Sequence, residues 1–172
     1  MNTKVLVFLS LLVGMGAVLH AAMPGLYLGM KPDLLLIMMF LGIMLFPEKK
    51  YVLLVAIVGG VISAMTTTFP LGQMPNIIDK LVTAFVFYGM FTALRKHRTS
   101  LVMISAITAI GILISGCVFL YSALLLSGLP GTFLSLFIGV VIPATVMGTI
   151  AMVIIYPIAQ QIIKRTKFTV SA

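Results

Sequence analysis

Six stretches of this chain are apolar enough to leave water, and only short polar interruptions separate them. A helix needs roughly 20 apolar residues to cross the hydrocarbon layer of a bilayer. The stretches run over about 4–22, 33–46, 51–68, 76–94, 101–126 and 132–163. The first stops before Met23-Pro24-Gly25 and the second at Pro47. The sixth contains Pro143 and Pro157, where bends are expected. The second is short: at about 1.5 Å per residue it reaches only about 21 Å, against a core of roughly 30 Å. Either it tilts little, or the Leu26–Met30 segment dips into the membrane ahead of it.

Composition agrees with this reading. Of 172 residues 62% are hydrophobic and 8% charged, whereas a soluble domain carries about 25% charged residues. The expected fold class is therefore an all-α membrane protein, one transmembrane domain over 1–172 with lipid as its solvent. Lys4 followed by an apolar run resembles a signal peptide, but no clear cleavage site follows, and the segment reads as the first membrane helix.

The formal net charge is +8. A nucleic-acid partner is excluded because the cations lie in short clusters between apolar runs, not on one face of a soluble body. They set the orientation instead. With the N-terminus inside, the inner segments hold Lys4, Lys49, Lys50, Arg95, Lys96, Arg98, Lys164, Arg165 and Lys167, nine of the eleven cations. Only Lys31 and Lys80 stay outside. This bias places both termini in the cytoplasm.

Motifs exclude several chemistries. There is no phosphate-binding G-x-x-x-x-G-K-[ST] loop, no H-E-x-x-H and no G-x-S-x-G, so no enzyme, metal or cofactor is expected. The single cysteine, Cys117, can form no intrachain disulfide and is expected as a small buried hydrophobe.

What remains is the outer charge: Lys31, Asp33, Asp79 and Lys80. Asp33 suits an N-cap of the second helix, a role compatible with ligand binding. Asn76 followed by Asp79 resembles a capping box at the start of the fourth helix. Lys80 serves no cap and meets the wrong end of the helix dipole. As a helical neighbour it is expected to point about 100° from Asp79. A charge on a membrane helix is a functional hypothesis by default. Two cations, two anions, Gln73 and Asn76 at one membrane face suit a zwitterion, and the alternative is that the pairs neutralise each other. His20 near the outer end of the first helix reads as a hydrogen-bonded structural residue or a ligand contact. Thr66, Thr67 and Thr68 can return hydroxyl bonds to their own helix, though one can still face a ligand. Tyr27, Phe69, Phe119, Tyr121, Phe133 and Phe137 are outer aromatics, mostly of the interfacial belt. Ser10, Gly14, Ala17 and Ala21 form small-xxx-small patterns, expected to pack within the molecule or to dock a separate membrane partner.

The segments Gly29-Met30-Lys31-Pro32-Asp33 and Phe69-Pro70-x-Gly72-Gln73-x-Pro75-Asn76-Ile77-Ile78-Asp79-Lys80 resemble the small bacterial tryptophan transport proteins of the TrpP family. Gly16-Ala17-Val18-Leu19-His20, Leu45-Phe46-Pro47 and Ile154-Ile155-Tyr156-Pro157 fit as well, so the resemblance runs from the first helix to the last. That family is in turn similar to the substrate-binding S components of energy-coupling-factor (ECF) transporters. The resemblance implies an S-component-like six-helix bundle, uptake of L-tryptophan across the cytoplasmic membrane of a bacterium, and a pocket near the outer face. It also implies docking of the first helix to an ECF-type transmembrane and ATPase module, with Ser10, Gly14 and Ala17 where S components carry spaced alanines. A solitary carrier is the other form of the same function. On this reading Asp79, with Asn76, holds the substrate ammonium, and Lys80 or Lys31 meets the carboxylate. Asp33, Gln73, His20, Tyr27 and Tyr121 complete the site around the indole. The rivals are a carrier for another aromatic or vitamin-like solute and a ligand-free membrane assembly subunit.

Overall fold

A computed structural model describes residues 2–25, 28, 30–94 and 100–165. The chain forms helices α1 (Thr3–Ala22), α2 (Leu34–Leu45), α3 (Lys49–Thr66), α4 (Gln73–Ala93), α5 (Leu101–Leu126) and α6 (Phe133–Arg165). It is an all-α membrane protein. Helices α1, α3, α5 and α6 are each long and apolar enough to cross a bilayer by themselves. Their outward side chains, such as Val18, Val102, Leu125 and Ile150, are apolar and exposed, as lipid-facing surfaces require.

The short second helix is explained by its place. Helix α2 has 12 residues, ten of them buried, and it touches each of the other five helices. A helix apolar all round is a core helix, and one enclosed by protein need not match the bilayer thickness. Its Phe40 stacks on Phe87 of α4, ring centroids 3.8 Å apart and planes 3° from parallel. Gly111 of α5 faces this pair, and a Cβ there would stand 2.9 Å from both rings. Glycine is what lets α5 close on the stack.

Several boundaries differ from expectation. Helix α4 begins at Gln73 with Gly72 as its N-cap, so Asn76 lies inside the first turns and is not a capping residue. Pro75 is tolerated there because the first N–H groups of a helix have no intrahelical acceptor. Helix α3 ends at Thr66, leaving Thr67 extended. In α6 the irregularity falls just before Pro143: Phe137–Val141 is a π-turn, with the Ile142 N–H bonded to the Phe137 carbonyl. Helical geometry runs through Pro157 without interruption. Cys117 is exposed on α5, not buried. Arg95, Lys96, His97, Arg98, Lys167, Leu26, Tyr27 and Gly29 lie outside the described residues.

The small residues of α1 also fall differently. Ser10 and Gly14 are exposed and Ala17 is half-buried, and a Cβ at Gly14 would meet nothing within 4 Å. The close intramolecular approach is made by Gly16, whose added Cβ would stand 3.0 Å from Leu35 Cα of α2.

Candidate functional site

The α4 sequence places Asn76, Asp79, Lys80 and Thr83 at offsets of three, four and seven residues, which share one face of a helix. That face turns inward, and all four are buried. Asn76 Nδ2 donates to the Gly72 carbonyl at 2.8 Å, holding the amide against the first turn. Lys80 is not directed away from Asp79. Its four-carbon stem folds back so that Nζ reaches Asp79 Oδ2 at 2.5 Å and Asp33 Oδ2 at 2.6 Å. Adjacent positions on a helix rarely pair, but a lysine between two carboxylates gains enough contact to bend. The same contact ties α4 to the start of α2.

Each carboxylate is further held. Asp79 accepts from Thr83 Oγ1 at 2.8 Å and from Ser115 Oγ of α5 at 2.9 Å. Asp33 caps α2 as expected, accepting the Leu36 N–H at 3.0 Å. Ser63 Oγ of α3 lies 3.5 Å from Asp33 Oδ2. His20 Nδ1 of α1 approaches Asp33 Oδ1 to 3.1 Å, off the direction of a hydrogen bond, so that buried nitrogen has no hydrogen-bond partner among the described residues. Lys31 does not pair with Asp33; its Nζ donates to the Thr66 carbonyl at 3.0 Å. Partial burial lowers the Lys31 pKa, against an opposing pull from Asp33.

Of these groups His20, Lys31, Asp33, Asn76, Asp79, Lys80 and Ser115 line a cavity with about 600 Å³ of atom-free space, its open mouth included. The apolar part of the lining is Met30, Ile112, Phe119, Val140, Val141 and Phe69. Phe69 and Phe119 meet edge to face, centroids 5.2 Å apart. The π-turn of α6 supplies Val140 and Val141, and Gly116 of α5 makes room for Val141.

Of the residues expected at the site, His20, Lys31, Asp33, Asn76, Asp79 and Lys80 line this cavity. Gln73 and Tyr121 are exposed and do not line it. Gln73 is the first residue of α4, a turn before Asn76, and Tyr121 lies on an exposed face of α5. Tyr27 lies outside the described residues. Among the threonines, Thr66 Oγ1 returns its bond to Ile62 at 2.7 Å, while Thr67 and Thr68 line the cavity. Sequence reasoning missed Ser63, Thr83 and Ser115. The signal for Thr83 is its place on the Asn76 face. Thr108, Ser115 and Ser122 recur every seven residues and are buried along α5.

The tryptophan transporter TrpP family matches residues 2–164 of this chain. The chain belongs to the TrpP family. A protein of Bacillus subtilis (strain 168) named "Probable tryptophan transport protein" is 53% identical over 172 residues, covering 100% of this chain and 99% of that protein. A TrpP relative of the same name in Clostridium acetobutylicum is 42% identical over 159 residues, 91% of each chain. Another, in Clostridium perfringens, is 34% identical over 174 residues, 95% of each. No solved structure matches this TrpP chain.

Proposed function

We propose that this TrpP-family chain carries L-tryptophan inward across the cytoplasmic membrane of a bacterium, with both termini on the cytoplasmic side. It is read as a transporter and not an enzyme. The observation that carries this reading is the meeting of fixed charges and aromatic rings in one cavity at the outer ends of α2 and α4. Asp33, Asp79 and Lys80 form an ordered ionic wall. Phe69 and Phe119, on the apolar side, suit the flat face and edge of an indole. The substrate ammonium meets the carboxylate pair, with Asn76 and His20 nearby, and Lys31 meets the substrate carboxylate. The orientation is supported by Lys4, Lys49, Lys50, Lys164 and Arg165, which the helix order brings to the opposite end.

Energy would come from an ECF-type module docked on α1, where Ser10 and Gly14 are exposed and Ala17 half-buried. Uptake of labelled tryptophan into vesicles tests both statements. The chain is reconstituted alone, alone with a proton gradient, and with an ATP-driven module. Accumulation only with the module and ATP supports docking; accumulation driven by the gradient alone makes the chain a solitary carrier. A thermal-shift panel separates the rivals. Stabilisation by another aromatic solute but not by tryptophan would change the substrate, and no stabilisation by any solute would leave an assembly subunit.

A further inference from the structure

The ions of this wall are not equivalent: Asp33 and Asp79 share the single ammonium of Lys80. The ions also differ in what they show to the cavity. The side chain of Asp33 is 18% exposed, those of Asp79 and Lys80 each 2%. Lys80 is already engaged by two carboxylates. The cation left for an incoming carboxylate is Lys31, half-buried at the cavity edge and bonded to the Thr66 carbonyl. Beside Asp33, the buried His20 lines the same cavity, its Nδ1 3.1 Å from Asp33 Oδ1. An incoming N–H donor therefore meets Asp33, the more exposed of the two carboxylates, first.

We propose that the site reads the ligand's ammonium group at Asp33, that the ligand's carboxylate is dispensable, and that the ligand class is arylalkyl ammonium ions, of which an aromatic amino acid is one member. This deepens the tryptophan reading and rests on it for the indole. The ammonium enters beside the more exposed of the two carboxylates. A carboxylate without an ammonium has only the edge cation Lys31 to meet, because Lys80 is held by both acids. Charged hydrogen bonds of this kind change affinity by roughly 10–100-fold each.

The test uses the full chain in lipid nanodiscs and measures direct binding of labelled L-tryptophan and labelled tryptamine, with indole-3-propionate as competitor. Tryptamine is expected to bind within about tenfold of L-tryptophan, and indole-3-propionate not to compete even at about a hundredfold excess. Lys31→Met is expected to weaken L-tryptophan about tenfold and to leave tryptamine unchanged. Asp33→Asn is expected to abolish binding of both. Should Asp33→Asn fail to fold, since it also loses part of an N-cap, the Lys31→Met comparison decides alone. The proposal is overturned if tryptamine does not bind, if indole-3-propionate displaces the ligand, or if Lys31→Met weakens both ligands equally. If L-tryptophan itself fails to bind, the import reading falls, while tryptamine binding still decides the ammonium inference.

Discussion

Helices α2 and α4 both fall short of a simple membrane-spanning helix, for opposite reasons. Helix α2 is apolar throughout but has only 12 residues. Helix α4 has 21 residues but carries Asn76, Asp79, Lys80 and Thr83 on its buried face. One is too short because it touches protein on every side and need not reach the headgroups. The other is too polar because its inner face builds the site while its outer face, with Val82, Phe85 and Val86, stays apolar and exposed. The two meet twice, through the Phe40–Phe87 stack and through the Lys80–Asp33 ion pair. Packing at one level and charge at the other hold the same pair of helices.

Separating those two contacts gives the largest expected effects. Lys80→Met leaves Asp33 and Asp79 buried without their cation, and breaking a buried pair costs about 3–5 kcal/mol. Thermal unfolding in nanodiscs should show that loss together with loss of tryptophan binding. Phe40→Ala opens a cavity in the stack and should cost about 3 kcal/mol. The two then diverge: the folded fraction of Phe40→Ala should still bind tryptophan, and if it does not, the stack and the ionic wall act as one unit.

Smaller changes sharpen the contrast within α4. Ser115→Ala removes one of two hydroxyl donors to Asp79 and leaves Lys80 and Thr83 in place. It should cost about 1 kcal/mol, seen as a few-fold weaker equilibrium binding. The smallest effect on the bundle is expected at Gly14, on the exposed face of α1. Gly14→Phe should change stability by no more than about 0.5 kcal/mol, because nothing lies within 4 Å of an added Cβ. If α1 docks an energy module, the same variant loses module-driven uptake while its tryptophan affinity stays unchanged.

Much of the fold was legible in the sequence because long apolar runs and cation clusters report directly on the bilayer. Helix α5 was expected over 101–126 and is found there. The start of α4 was misread because Asn76 and Asp79 mimic a capping box, whereas their polar groups serve the interior. Part of the candidate site was legible because charge is scarce: Lys31, Asp33, Asp79 and Lys80 stand apart from the cation clusters in a chain with so few ions. Ser63, Thr83 and Ser115 were not, because a hydroxyl on a membrane helix most often bonds its own backbone, and nothing local marks one that instead reaches Asp33 or Asp79. Gln73 and Tyr121 suited a ligand by type but stay exposed outside the cavity, Gln73 at the first position of α4 and Tyr121 on an exposed face of α5.

By itself, then, the sequence determined that this chain lives in lipid, how its spans follow one another and which charges are unusual, since those follow from hydrophobicity and local order along the chain. The tertiary structure decided that α2 is enclosed, that Lys80 turns back between Asp79 and Asp33, and that Phe69 and Phe119 line the same cavity as these ions. Those contacts join residues from five helices and the loops between them. Which side chains meet depends on how each helix is rotated against its neighbours, and that is set by packing at positions such as Gly16, Gly111 and Gly116, far in sequence from the charges they bring together.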